Sequence, residues 1–457
     1  MTDTVYDMVI LGAGSGGYAA ALRGAQLGLT VALIEADKIG GTCLHRGCVP
    51  TKAILHSAET AEAVREATAV GVRAAYQGLD MPTVQKYKNG VISRMYKGLQ
   101  GLVSSRGIDV VSGWGRLVAG DAVEVGGKRY RGRNIVLASG SQSKTMGQEI
   151  SGPVMTSDQA LELDRVPESA VVLGGGVIGV EFASAWASMG SRVTIIEGLP
   201  RLVPNEDEAV SKQLERAFRK RKIAFKTNTM FESVERTATG VTVRTADSKT
   251  YDAEVLLIAV GRGPATANLG YEEAGVAMDR GFVLTDDYGR TNVDGVWAVG
   301  DIVPGVQLAH RGFAQGIVVA EKIAGLDPRP VDDTLVPKVT FCEPEIASVG
   351  LSEAQAIEIH GAEKATTAEF NVAGNAKSQI LGTQGFVKLV SLKDGPVVGF
   401  HAIGTRMGEQ IGEGQLIVSW EADAHDVASL VHAHPTQNET IGEAAMALAG
   451  KPLHNHG

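Results

Sequence analysis

Cysteine is scarce: there are three in 457 residues, Cys43, Cys48 and Cys342. Three thiols cannot build an all-cysteine zinc site or the disulfide framework of a small secreted module, and no metal is expected. A basic excess is missing too. With 43 Lys and Arg against 52 Asp and Glu, the net charge is −9, which excludes nucleic acid as the main partner. Long hydrophobic runs are also absent. The longest, around Ser169 to Val180, is short, glycine-rich and stopped by Glu181, so no membrane span is expected. Met1 to Asp7 carries acids where a signal peptide needs a basic start, and reads as the approach to a buried strand. The expected compartment is the reducing cytoplasm. Glycine, by contrast, is in excess, with 57 residues against about 7% in average chains. At about 150 residues per domain, the length predicts roughly three domains.

An internal repeat organises the first half. The apolar stretch Tyr6 to Leu11 leads into Gly12, Gly14 and Gly17, an alanine-rich helix, and a strand from Thr30 to Ile34 ending at Glu35. Ala170 to Leu173, then Gly174, Gly176 and Gly179, then a helix and Arg192 to Ile196 ending at Glu197, repeat that order 162 positions later. In G-x-G-x-x-G the first glycine permits the turn, the second admits a pyrophosphate, and the third lets helix and strand pack. The glutamate roughly 20 residues on suits ribose hydroxyls. Two in-context copies predict an α/β chain with two Rossmann-like dinucleotide units. Glu197 would repel a 2′-phosphate, so the second nucleotide should be NAD rather than NADP; Arg201 nearby is the residue that could soften this preference.

Elsewhere, Thr83 to Arg106 reads as a helix and Asn134 to Ala138 as a strand leading to Ser139 and Gly140. Met230 to Val260 reads as antiparallel strands closing on Gly261, and Gly295 to Val299 as a buried strand stopped by Gly300-Asp301. From about Leu335 the pattern becomes α+β, with helices near Gly408 to Trp420 and Glu439 to Ala449. The run Arg216, Arg219, Lys220, Arg221 and Lys222 reads as the solvated end of a helix opening at Asn205, Glu206, Asp207 and Glu208.

Cys43 and Cys48 lie just past the first unit. In an ideal helix their side chains would point roughly 140° apart, whereas a disulfide needs closely spaced Cα atoms. A distorted turn is therefore expected, with Gly47 and Pro50 making it feasible. A helix beyond Pro50 puts Cys48 at its amino end with Lys52 on the same face, and both features favour thiolate. The alternative is a pair of buried apolar cysteines. Cys342 reads as a small packed hydrophobe, and His432 as structural or solvent-facing.

Together, Gly41-Thr-Cys43-Leu-His-Arg-Gly-Cys48-Val-Pro-Thr-Lys52, Gly295-Val-Trp-Ala-Val-Gly300-Asp301 and His432-Ala-His434-Pro435-Thr-Gln-Asn-Glu439 resemble the flavoprotein disulfide reductases, and within them the dihydrolipoamide dehydrogenases. The resemblance spans essentially the whole chain. It implies an FAD-binding domain (1–147), an NAD-binding domain (148–268), a central segment completing the FAD site (269–335) and a dimerisation domain (336–457). FAD would be held by Gly12, Gly14, Gly17, Glu35, Ser139, Gly140, Asp301, Ala309 and His310. Lys52 would sit near flavin N5, paired with Glu181. NAD would be held by Gly174, Gly176, Gly179, Glu181, Glu197 and Gly261. On residue type alone, Gly300-Asp301 serves equally as a hydroxyl acceptor or a helix cap, and a lone His434 is a weak signal. Ser139 stands where many members have threonine, Val177 where many have a flavin-covering tyrosine, and Gln437-Asn438 where a small or apolar pair is usual.

The resemblance also implies the chemistry. A Cys43–Cys48 disulfide would oxidise dihydrolipoamide, with His434 of the partner subunit as base and Glu439 orienting it, and the electrons would pass through FAD to NAD⁺. The partners would be a second copy and the lipoyl-bearing acyltransferase or carrier protein of a 2-oxo acid dehydrogenase or glycine cleavage system. Rival readings are a reductase of another small disulfide, a flavin NADH oxidase or transhydrogenase, and a docking scaffold. A mercuric reductase is disfavoured because no cysteine follows Cys342.

Overall fold

The computed structural model describes residues 5–455; Met1 to Thr4, within the segment read as lacking a signal peptide, lie outside it. Strand Val5–Leu11 is central to the first sheet, flanked in parallel by Val31–Glu35 and Lys128–Leu137. Its residues alternate between two cores. Met8 and Ile10 pack with Ala20, Ala21 and Val136, whereas Val9 and Leu11 pack with Leu117, Ile135 and Tyr271. Burial on both faces is why Met8 to Leu11 is an unbroken apolar run. Strand Val296–Ala298 joins the same sheet beside Ile135 to Leu137, as a buried strand ahead of Gly300 should.

The second unit repeats the first in its hydrogen bonds. Gly12 N–H donates to Ile34 O at 2.9 Å, and Gly174 N–H to Ile196 O at 2.8 Å. Gly12 and Gly174 sit at φ +102° and +101°, left-handed conformations that favour glycine. A Cβ at Gly17 or Gly179 would collide with the carbonyl of Gly12 or Gly174. Helix Ser15–Gln26 can therefore lie against its strand, and so can Val177–Met189.

One expectation needs correcting within 230–260. Phe231–Arg236, Val241–Thr245 and Thr250–Ala253 are antiparallel, but Val255–Ile258 runs parallel to Ser169–Leu173 in the second nucleotide sheet. Its four residues are all buried, the signature of a strand covered on both faces rather than of an alternating one.

The last part of the chain is a five-stranded antiparallel sheet backed by helices Met407–Ser419 and Glu439–Leu448. In the charge run Arg216, Arg219, Lys220 and Lys222 are exposed, as a solvated helix end should be, and the correction concerns Arg221 and the acids at the helix start. Helix Glu208–Lys220 opens on an Asp207 cap, but Asp207 is buried in an ion pair with Lys388 (2.9 Å), and Ser348 Oγ donates to Glu206 at 2.5 Å. At the other end Arg221 turns inward, donating to Ser184 Oγ and Glu343 O, both at 2.8 Å, and to Ser188 Oγ at 2.6 Å. These charges fasten the second unit to its neighbours, where partners satisfy them.

Candidate active site

The two glycine turns share one unfilled position. A Cβ at Gly14 or Gly176 would meet nothing within 4 Å, so the chain's own packing does not demand glycine there. The helices that start at these residues have no side-chain cap. Free N–H groups beside an open glycine fit the pyrophosphate of a dinucleotide. Glu35 accepts from Ala13 N–H (2.7 Å) and Asp37 N–H (2.9 Å). Glu197 accepts from Gly175 N–H (2.6 Å) and Leu199 N–H (2.7 Å). Each carboxylate is thus fixed at its strand end with lone pairs to spare for hydroxyl donors. Arg201 donates to Pro204 O and Glu206 O, so its guanidinium is engaged with backbone carbonyls.

The cysteines straddle a break between two helices. Gly41–His45 is one short helix and Cys48–Glu66 the next. Arg46 and Gly47 leave helical geometry between them, and a Cβ on Gly47 would press against Thr42 O at 3.0 Å. This break brings the thiols within hydrogen-bonding reach. The bond that Cys43 donates to Cys48, reinforced by burial and by the charge of Cys48, pushes the Cys43 thiol well up. Accepting that bond lowers Cys48; the surrounding protein opposes ionisation, Lys52 favours it, and the thiol comes down to about 7. Cys48 is exposed and Cys43 half-buried, so the reading as two buried apolar cysteines is set aside.

Lys52 Nζ donates to both oxygens of Glu181, at 2.9 and 2.8 Å, and lies 4.6 Å from the centre of the Phe341 ring. Phe341 N–H donates to Glu181 as well, at 2.9 Å. Two distant segments therefore meet at the redox helix. Glu181, only 3% exposed, commits its carboxylate here and not to the glycine turn it follows. Nothing in the local sequence around Phe341 signals this role.

Asp301 lies in the short turn Gly300–Ile302, which it does not cap. Its carboxylate accepts from Ser141 Oγ at 2.5 Å, and Arg262 holds Ser141 through Oγ and O at 2.8 and 2.6 Å. Ser139 Oγ accepts from the buried Tyr271 hydroxyl at 3.0 Å. Gly140 and Gly261 adopt φ +74° and +103°, and a Cβ on either would reach open space. Ala309 and His310 open helix Ala309–Ile323, with His310 Nε2 2.7 Å from Pro337 O. Ser141, Arg262 and Tyr271 escaped the sequence reading. Val177 is 44% exposed, leaving the mouth of the second turn uncovered by that side chain.

His434 Nδ1 lies 2.7 Å from Glu439 Oε1, and Thr436 N–H donates to Glu439 Oε2 at 2.8 Å. An ionised carboxylate only accepts, so it holds the proton on Nδ1 and leaves Nε2 basic. Burial opposes ionisation of Glu439, but bonds from His434 and Thr436 outweigh it and keep the carboxyl below its ordinary range. The His434 side chain is 71% exposed. His432, in contrast, is packed against Glu413 at 2.7 Å, in keeping with a structural role. Cys342 is buried, as expected of a small hydrophobe, and burial pushes its thiol well up.

A family model described as pyridine nucleotide-disulphide oxidoreductase matches residues 6–316, and one for the dimerisation domain of the same family matches 336–445. The chain is 37% identical to a dihydrolipoyl dehydrogenase of Bacillus subtilis over 99% of both chains. It is 35% identical to the mitochondrial dihydrolipoyl dehydrogenase 1 of Arabidopsis thaliana, over 98% of this chain and 91% of that one. Among solved structures, LpdA from Mycobacterium tuberculosis superposes with a TM-score of 0.90 at 26% identity, covering 96% of this chain and 99% of that one. RclA from Escherichia coli, a HOCl-induced flavoprotein disulfide reductase, gives 0.86 at 27% identity, covering 96% and 99%. The two family matches together take in most of the chain, and the chain belongs to the pyridine nucleotide-disulphide oxidoreductase family.

Proposed function

We propose that the protein is a dihydrolipoyl dehydrogenase. It oxidises protein-bound dihydrolipoamide to lipoamide, reduces NAD⁺ to NADH, and serves a 2-oxo acid dehydrogenase or glycine cleavage system. The observation that carries the reading is Cys48 at a helix start, hydrogen-bonded to Cys43 and faced by the Lys52–Glu181 pair, in a chain whose full-length relatives bear that name. FAD, when bound, supplies the two-electron relay between the dithiol and NAD⁺. Gly12, Gly14, Gly17, Glu35, Ser139, Gly140, Asp301, Ala309 and His310 would hold it. Gly174, Gly176, Gly179, Glu197 and Gly261 would hold NAD.

In the thiol half-reaction a substrate thiolate attacks Cys43 of the disulfide, the Cys43–Cys48 bond breaks, and Cys48 leaves as the more stable thiolate. The second substrate thiol then attacks the mixed disulfide, releasing lipoamide and Cys43. His434 Nε2 takes the substrate proton while Glu439 stabilises the imidazolium. Lys52 keeps positive charge beside Cys48, and Glu181 holds the lysine in place. His434 acts on the other subunit of a homodimer, which the dimerisation-domain match supports. Residues 1–147 and 269–335 serve FAD, 148–268 NAD, and 336–457 the interface. No helix among the described residues is long and apolar enough to cross a membrane.

The test is NADH formation from dihydrolipoamide, run beside a panel of lipoamide, glutathione and other disulfides assayed with NADH and NADPH. Turnover confined to another disulfide would replace this reading with that of a small-molecule disulfide reductase.

A further inference from the structure

The segment carrying His434 and Glu439 is held by amide side chains outside the pair. Gln437 Nε2 donates to Thr405 O at 2.8 Å and Asn438 Nδ2 to Glu413 Oε2 at 2.7 Å. The third amide, Asn375, comes from far upstream and is buried. Its two ends face opposite kinds of partner. Oδ1 accepts from Ser378 N–H at 2.9 Å and Ser378 Oγ at 3.0 Å, capping the helix Ala376–Leu381. Nδ2 donates to Thr436 O at 2.9 Å, on the residue whose own N–H holds the Glu439 carboxylate. A flipped amide would set donor against donor at Ser378 and oxygen against oxygen at Thr436, so only one orientation works.

We propose that Asn375 is a positioning residue for the base, fixing the Thr436 backbone, whose N–H holds Glu439, and through it the direction of His434 Nε2. The inference rests on the reading of His434 as the base. Glu439 already spends Oε1 on His434 and Oε2 on Thr436 N–H. The Asn375 amide ties the Thr436 backbone beside this exposed pair to a buried point far upstream in the chain. A general base works only when its nitrogen is within hydrogen-bond reach of the proton it takes, and second partners of this kind set ring orientation.

Substitution separates the two jobs of the amide. Serine and aspartate cap helices about as well as asparagine, so Asn375→Ser and Asn375→Asp keep the acceptor for Ser378 and remove the donor to Thr436 O. In the FAD-loaded homodimer, kcat for dihydrolipoamide oxidation should fall about tenfold in Asn375→Ser, the cost of leaving the Thr436 carbonyl without its partner. It should fall about a hundredfold in Asn375→Asp, approaching loss of the base. In Asn375→Asp the acidic limb of the kcat/KM profile should also move to higher pH, because an added negative charge favours protonated imidazole. Capping alone predicts neither effect. Flavin content and unfolding midpoint check the fold, and Asn375→Ser decides if the aspartate variant folds poorly. Wild-type kcat in Asn375→Ser overturns the inference when His434→Gln has lost dihydrolipoamide oxidation. Should His434→Gln retain that activity, the base assignment itself fails and this inference falls with it.

Discussion

Lys52 and Glu181, 129 positions apart, form a two-point contact in which the ammonium lies 2.9 and 2.8 Å from the carboxylate oxygens. The lysine belongs to the helix that Cys48 opens, and the glutamate to the helix that follows the second glycine turn. A single ion pair therefore couples the redox cysteine to the second nucleotide unit.

Removing the lysine tests that coupling. Lys52→Met leaves Glu181 buried with the Phe341 N–H as its remaining partner. Breaking one side of a buried pair costs ~3–5 kcal/mol, and because Lys52 is itself partly exposed we expect ~2 kcal/mol. The unfolding midpoint should drop accordingly, and thiolate formation at Cys48 should move to higher pH. An unaltered thiolate titration in Lys52→Met would show that the lysine does not act on Cys48.

The Cys48 thiol, lowered from 9.0 to about 7, makes a prediction about the reduced protein. A depressed thiol stabilises the fold where it is ionised in both states, above about pH 9, and that stabilisation is lost as pH falls through about 7. The stability advantage of reduced wild type over Cys48→Ser should shrink across this window and level off below it. Denaturant titrations at a series of pH values measure it, and an advantage that grows toward acid would reverse the sign.

Alkylation should depend on the flavin. Cys48 is exposed and the more acidic thiol, while Cys43 is half-buried. Flavin-free, reduced protein should be labelled first at Cys48, and FAD-loaded protein first at Cys43, with a long-wavelength thiolate-to-flavin absorbance persisting. Peptide mapping by mass reports both. Labelling of Cys48 first in the loaded protein would reverse the roles assigned to the two thiols.

Nucleotide choice follows from Glu197. Its carboxylate is anchored by Gly175 and Leu199 N–H, and Arg201 is engaged with Pro204 and Glu206 carbonyls, so no cation is presented to a 2′-phosphate from that side chain. Preference for NADH over NADPH should reach several tens-fold in kcat/KM, ~2–3 kcal/mol. Comparable values for the two nucleotides would sink it.

The shared site can be tested by complementation. His434→Ala and Cys43→Ser should each abolish dihydrolipoamide oxidation, by loss of the base and of the exchanging thiol. A heterodimer of the two contains one complete site, with Cys43 and Cys48 from the first and His434 from the second, so about half the activity of a dimer should return. Heterodimers verified by mass yet inactive would place the base within its own chain.

What the sequence determined by itself is what neighbouring residues decide among themselves. The glycine turns were legible because left-handed backbone at Gly12 and Gly174, and strand contact at Gly17 and Gly179, need a missing Cβ at fixed spacing. The break between Cys43 and Cys48, and the placing of Cys48 and Lys52 on one helix, followed from Gly47, Pro50 and helical periodicity. The tertiary structure alone decided which remote partner meets each polar group. Arg221 reads as a solvated helix end until Ser184, Ser188 and Glu343 surround it. Val255–Ile258 reads as one more antiparallel strand until Ser169–Leu173 pairs with it in parallel. Phe341 and Asn375 carry no local signal, because their value lies in reaching Glu181 and Thr436 across the fold. Short-range sterics are written into adjacent residues, whereas a buried charge or amide is defined by a partner that only chain folding delivers.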